Sequence, residues 1–299
     1  MSEAIFGQVV TAMVTPFDVN GRVDPHAAAQ LVTYLLDNGS DGIVVSGTTG
    51  ESPTLTHEEK LNLFRLVKET AGPRGKVIAG TGGNDTASSI ALTRKAAEIG
   101  VDGALLVVPY YNKPSQEGLY RHFRAIAESV PELPCMLYNV PPRTSQNMEA
   151  ATTSRLAHDV PNIVAVKEAS GNLMQCAEIF RTAPADFALY SGDDGMTLPM
   201  LSVGGVGVVS VTAHLVGNDI KAMHTAFFSH RLEEAARLNA KMLPLVRACF
   251  QPTTPSPAPV KAALNLLGHN VGGLRLPLVE CNEKERDVVR TALVEYGLL

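Results

Sequence analysis

Eight short, β-rich apolar runs punctuate the first 210 residues, and each is followed by a stretch with helical spacing. The runs are Val9–Thr15, Gly42–Gly47, Lys76–Gly80, Gly103–Pro109, Pro134–Asn139, Ile163–Lys167, Phe187–Gly192 and Val206–Ser210. Successive runs are separated by about one βα unit, on the order of 30 residues. Near-continuous Val, Ile and Leu mark strands buried on both faces. Eight strand–helix units predict an α/β chain of the (β/α)8 TIM-barrel type. A doubly wound sheet is the alternative, but it usually has fewer strands. "GTTGES" and "GTGGND" both miss the G-x-G-x-x-G spacing, and no G-x-x-x-x-G-K-[ST] occurs, which argues against nucleotide binding.

The helical stretches carry their own punctuation. Thr56 and Glu59 form a capping box before an apolar face of Leu63, Leu66 and Val67. Asp85 or Thr86 caps the next helix and Gly100 closes it. After about Leu215 the strands stop. "NDIKAMHTAFFSHRLEEAARLNAKMLPLVRACF" reads as two helices, and "QPTTPSPAPVKAALNLLG" as a Pro-rich loop leading into a helix that ends at Gly268. The prolines stiffen a loop or, alternatively, form a PxxP ligand. The expected organisation is a barrel over residues 1–217 and a C-terminal helical region over 218–299.

The bulk numbers exclude several classes. Net charge is −5 with no basic run, so a nucleic-acid partner is not expected. The N-terminus lacks a basic segment followed by an apolar core, and no apolar run is long enough to span a bilayer, so a cytoplasmic protein without a membrane partner is expected. Cys135, Cys176, Cys249 and Cys281 have no C-x-x-C spacing and read as free thiols. The eight histidines form no H-E-x-x-H or H-x-H cluster, so no metal site is assigned.

Reactive groups of such a barrel sit at the carboxyl ends of its strands. The residues there are Thr15, Thr48 and Thr49, Tyr110 and Tyr111, Tyr138 with nearby Arg143, Lys167, Gly192 and Asp193, and Ser210 and Thr212. Alternation sharpens one of them. If Lys167 faces inward, Ile163 and Ala165 share its face, as Met136 and Tyr138 share the inner face of the preceding strand. Burial disfavours an ammonium, so a neutral amine becomes available as a nucleophile. The opposing possibility is a lysine that snorkels to the rim and pairs with Glu168 or a loop carboxylate. Tyr138 is either a core aromatic or a phenol for proton transfer. The Thr48–Thr49 turn is either an ordinary turn with Glu51 as a cap, or a nest for a carboxylate. Arg143 is either a surface ion pair or a fork for a second carboxylate.

The motifs "GTTGES" (Gly47–Ser52), "YYNKPSQEGLYRHF" (Tyr110–Phe123), "YNVPPRT" (Tyr138–Thr144), "IVAVKEASGN" (Ile163–Asn172), "YSGDD" (Tyr190–Asp194) and "GVVSVTA" (Gly207–Ala213) occur in one order. In that order and spacing the chain resembles the dihydrodipicolinate synthase family, within the pyruvate-dependent lyase and aldolase superfamily. The resemblance covers essentially the whole chain. It implies that pyruvate and aspartate semialdehyde are the substrates, at the first committed step toward diaminopimelate and lysine. It implies that Lys167 forms a Schiff base with pyruvate and that Tyr138 shuttles protons. Thr48 would link Tyr138 to Tyr111, which in the family reaches in from a neighbouring subunit. Thr49 would bind the pyruvate carboxylate, Gly192 and Val209 would shape the pocket, and Arg143 would receive the aldehyde's carboxylate. No metal or organic cofactor is implied, since the lysine–pyruvate imine is itself the electron sink. The implied assembly is a homotetramer, a dimer of dimers.

The same resemblance places Ser52, His57, Asn84 and Tyr110 in the region where many bacterial members bind inhibitory lysine. Ser88 replaces the usual glutamate there, and Lys60 a usual histidine. Losing an anion and gaining a cation disfavours a cationic effector, so weak or absent lysine inhibition is expected. Further departures are Pro142 for Ser, Ser145 for Gly and His214 for Asn. Alternatives are a related aldolase acting on N-acetylneuraminate or a 2-keto-3-deoxy sugar acid, or a non-catalytic barrel that senses pyruvate or an amino acid and signals. The arginine in "YNVPPRT" and the two threonines of "GTTGE" favour the synthase.

Overall fold

A computed structural model describes residues 3–299. All eight expected strands form: β1 Val9–Ala12, β2 Gly42–Val45, β3 Lys76–Gly80, β4 Gly103–Val107, β5 Cys135–Asn139, β6 Ile163–Glu168, β7 Ala188–Ser191 and β8 Gly207–Ser210. They are hydrogen-bonded in sequence order as a closed barrel, the (β/α)8 architecture. Most are shorter than their apolar runs. In β1, for example, Met13–Thr15 continue the run beyond the last strand residue.

The helices are α1 Pro25–Asp37, α2 His57–Ala71, α3 Thr86–Ile99, α4 Gln116–Glu128, α5 Pro141–Thr144, α6 Ala150–Asp159, α7 Leu173–Thr182, α8 Thr197–Leu201, α9 Ala213–Phe228, α10 Leu232–Cys249, α11 Ala258–Leu266 and α12 Glu283–Tyr296. The expected stops and starts are present. Thr56 and Glu59 form the reciprocal capping box of α2. Asp85, rather than Thr86, is the N-cap of α3, and Gly100 ends that helix at φ 83°. The buried face of α2 is Leu63, Phe64, Val67 and Ala71, whereas Leu66 is half-buried. Phe64 fills the place expected of Leu66, because residues 63, 67 and 71 set a stripe that 64 flanks more closely. In the Pro-rich stretch Pro257 and Pro259 are buried at the start of α11, so this segment packs as a loop and helix start. Helix α12, capped by Asn282 with Glu285, completes the tail.

The chain divides into two compact units. One runs to Gln8 and from Lys76 to Val209; the other comprises Val9–Gly75 and Ser210–Leu299. In the first, β5 pairs with β6 in a register that sets Tyr138 opposite Lys167 and Asn139 opposite Glu168, after a shift between Cys135 and Met136. In the second, β1 pairs with β2, and α9 packs on α10 and β1. All four cysteines are buried and none is in a disulfide. Burial pushes the Cys135 and Cys176 thiols up to about 12, so both are poor nucleophiles.

Candidate active site

In the first unit, Lys167 is the penultimate residue of β6 and 5% exposed. Its strand neighbours Ile163, Ala165 and Val166 are buried. Tyr138, on β5, is also 5% exposed, and the Lys167 Nζ lies 4.2 Å from its ring centroid. Among the described residues no carboxylate comes within ion-pair reach of that ammonium. Glu168 is turned away: it is fully buried and bound by Asn139, Gln175 and the Ser170 N–H. The rim salt bridge to Glu168 that the sequence left open does not form.

Gly192 makes room for the amine. A Cβ there would meet the Ala169 Cβ at 2.7 Å and the Lys167 Cγ and Cε at 3.0 and 3.1 Å. Its N–H donates to the Glu168 carbonyl, which ties the β7 end to β6. Val209, on β8, is buried. Arg143 is exposed on the single-turn α5, where Pro141 fills the first helical position. Pro142, the substituted position, sits in the same turn with its fixed φ compatible with a helix. Ser145 ends it at φ 55°, a left-handed conformation that glycine adopts without strain.

Tyr111 differs from these residues. It is 90% exposed at φ 73°, while Tyr110 is 38% exposed. The Asn84 amide donates to the Tyr110 carbonyl at 3.3 Å, so these two residues of the regulatory set are neighbours. Ser88 is exposed in the first turn of α3, its N–H donating to Asp85.

In the second unit, the Gly47–Ser52 turn is tightly built. Ser46 and Glu51 take left-handed φ values of 58° and 56°. The Glu51 N–H donates to the Thr48 carbonyl, and the Thr15 hydroxyl to that of Gly50. Thr49 is buried and Thr48 half-buried. Ser52 is half-buried with a 3.4 Å contact to the Ser46 hydroxyl, and His57 is exposed. Lys60 is half-buried, and desolvation lowers its pKa.

Glu51 stands at the N-cap of the short 3-10 turn Ser52–Thr54, but its side chain makes no capping bond there. Its carboxylate meets the buried Lys261 Nζ at 2.7 Å and accepts from the Arg275 N–H at 3.0 Å. Sequence reasoning missed this pair because its members lie 210 positions apart (261 less 51). His214 is also explained. Its Nδ1 donates to the Val211 carbonyl at 2.7 Å and its Nε2 accepts from the Val14 N–H at 3.1 Å. Full burial lowers its pKa to about 4, which keeps this tautomer neutral.

Among the described residues no group of three His, Cys, Asp or Glu is placed to hold a metal ion, and no helix is long and apolar enough to cross a membrane. A closed parallel barrel with a buried lysine beside a tyrosine at adjacent strand ends defines a (β/α)8-barrel enzyme. Residues 5–296 match the model of the dihydrodipicolinate synthetase family. The chain is 56% identical, over 98% of its length and 99% of the relative's, to the 4-hydroxy-tetrahydrodipicolinate synthase of Moorella thermoacetica. It is 55% identical over the full length of both to the enzyme of that name from Desulforamulus reducens. A dihydrodipicolinate synthase from Cyanidioschyzon merolae, solved with lysine bound, superposes with a TM-score of 0.97 at 51% identity, covering 99% of this chain and 100% of that one. The chain belongs to the dihydrodipicolinate synthetase family.

Proposed function

We propose that this enzyme is a Schiff-base lyase that condenses pyruvate with L-aspartate 4-semialdehyde to 4-hydroxy-tetrahydrodipicolinate. The observation that carries the reading is the buried, carboxylate-free Lys167 set 4.2 Å from the Tyr138 ring. Full-length identity above 50% to relatives of that name supports it. The Lys167 amine attacks the pyruvate carbonyl, and loss of water gives an imine. Tyr138 relays the protons this requires. Loss of a methyl proton gives the enamine, which attacks the aldehyde; ring closure by the acceptor's own amine expels the lysine. The imine carries the electron demand, so the reading calls on no metal or organic cofactor.

The remaining roles follow the family resemblance. Thr49 binds the pyruvate carboxylate, Arg143 the acceptor's, and Gly192 and Val209 bound the pocket. Thr48 passes protons between Tyr138 and a Tyr111 supplied by a second copy of the chain, within a homotetramer acting in the cytoplasm. The 90% exposure and positive φ of Tyr111 suit a residue used outside its own subunit. A monomer with full activity would contradict that sharing. The assay that tests the substrate pair compares acceptors. Aspartate semialdehyde should be turned over far faster than N-acetylmannosamine or glyceraldehyde, and the reverse order would favour a sugar-acid aldolase.

Ser52, His57, Asn84 and Tyr110 correspond to a lysine-binding region, with Ser88 and Lys60 in place of an acid and a histidine. The half-buried Lys60 ammonium repels a second cation. Millimolar lysine should leave the rate within about 20% of its uninhibited value. A halved rate at that concentration contradicts this part of the reading.

A further inference from the structure

Directly behind Lys167 and Tyr138 lies a cluster of side chains that the proposed reaction does not use. Glu168 is fully buried, yet among the described residues no cation is within ion-pair reach of it. A buried carboxylate needs compensation, and here it comes from neutral donors alone. The Asn139 Nδ2 lies 3.1 and 3.0 Å from its two oxygens, the Ser170 N–H donates at 2.8 Å, and the Gln175 Nε2 at 3.0 Å. Each amide is oriented by another partner. The Met148 N–H donates to the Asn139 Oδ1 at 3.0 Å, which turns the Asn139 Nδ2 toward Glu168 and toward the Asn147 Oδ1 at 2.8 Å. The Asn147 Nδ2 in turn donates to the Gln175 Oε1 at 2.8 Å. The four side chains therefore form a closed ring of directed hydrogen bonds.

Two parts of the proposed site hang on that ring. Glu168 follows Lys167 on β6, and Asn139 follows Tyr138 on β5, so alternation puts the ring on one face of the strand pair and the amine and phenol on the other. The segment bearing Arg143 leaves from Asn139 and returns at Asn147 and Met148, where the ring closes its base. Resting on the reading of Lys167 as the imine-forming amine and Arg143 as the acceptor's anchor, we propose that Glu168, Asn139, Gln175 and Asn147 form a positioning clamp. It sets the spacing of Lys167 and Tyr138 and the seat of the Arg143 loop together. The backbone ladder pairs the two strands, and the ring adds directed bonds that couple the end of that ladder to the base of the loop.

The test uses the full-length enzyme and variants. Glu168→Gln turns an amide donor toward the donors of Asn139, Gln175 or Ser170. It should slow imine formation with pyruvate, followed by borohydride trapping, at least about tenfold and raise the KM for aspartate semialdehyde, because a small misplacement of reacting groups is costly. In the double variant with Asn139→Asp, the ring can reverse its direction by end-for-end rotation of Asn147 and Gln175. Most of the lost rate and KM should then return. Gln175→Leu, which removes one donor, serves if Glu168→Gln does not fold, and should shift both quantities the same way. A folded Glu168→Gln or Gln175→Leu with wild-type imine formation and KM overturns the clamp. So does a double variant that regains thermal stability without regaining either. If the wild-type enzyme itself traps no pyruvate, the Schiff-base reading fails; trapping by wild type with unaffected variants sinks only the clamp.

Discussion

Lys167 and Lys261 are both buried lysines with the ammonium 4.2 Å from an aromatic centroid, Tyr138 in one case and Phe17 in the other. Their other neighbours differ. Lys261 is ion-paired to Glu51 at 2.7 Å and donates to the Gly273 carbonyl at 2.6 Å. Burial lowers its pKa, while the Glu51 carboxylate opposes that shift. Arg275 extends the set, donating its N–H to Glu51 and its guanidinium to Glu59, whose carboxyl is held down at about 2 chiefly by that bond. Lys167 has no such counter-charge. Burial alone thus does not make a lysine a nucleophile. The paired one ties the Gly47–Ser52 turn to α11, and the one without a carboxylate partner is the residue we propose to attack pyruvate.

The contrast is broken most severely by removing each lysine. Lys167→Ala should lower kcat by at least about a thousandfold, since a covalent route is lost, with little change in melting temperature. Tyr138→Phe keeps the ring under the ammonium but removes the phenol; kcat should fall by about a hundredfold or more in the same assay. Lys261→Met should do the opposite of Lys167→Ala. Leaving Glu51 buried and unpaired costs about 3–5 kcal/mol in denaturant titration, and adding Glu51→Gln should recover much of that loss. Gly192→Ala sharpens the comparison from the space around Lys167. The new methyl meets side chains at 2.7–3.1 Å, so about 1–3 kcal/mol of stability and part of the imine-forming rate should be lost.

A separate effect concerns acid. His122 and His214 are held near 4 by burial, below the ordinary value of 6.5. Both are neutral in the folded protein and take up protons more readily once unfolded. Their contribution is present above about 6.5 and is lost as pH falls through about 4. Melting temperature should fall across that window, and His214→Asn should flatten the slope measured by calorimetry. An unchanged slope would show that His214 is not a source of the dependence.

Much of this was legible in the residues. Apolar runs located all eight strands, because strands covered on both faces have little polar interruption. Period-two alternation put Lys167 and Tyr138 together, and the β5–β6 register agrees. The capping signals at Thr56 and Asp85 were local, hence readable. The Glu51–Lys261 pair was not, because a single sequence carries no sign of which distant charges meet inside. The ring around Glu168 was hidden for a related reason. Asn139, Asn147 and Gln175 are ordinary loop and cap residue types, and only the β5–β6 register and the return of the Arg143 loop bring them together.

The central claim is that of these two buried lysines only the unpaired one forms a bond with substrate. Incubation with pyruvate, reduction with borohydride and peptide mapping of the modified chain test it directly. The expected result is a reduced pyruvate adduct on the peptide containing Lys167, with Lys261 unmodified. An adduct on Lys261, or no adduct while the enzyme turns over, would contradict the account.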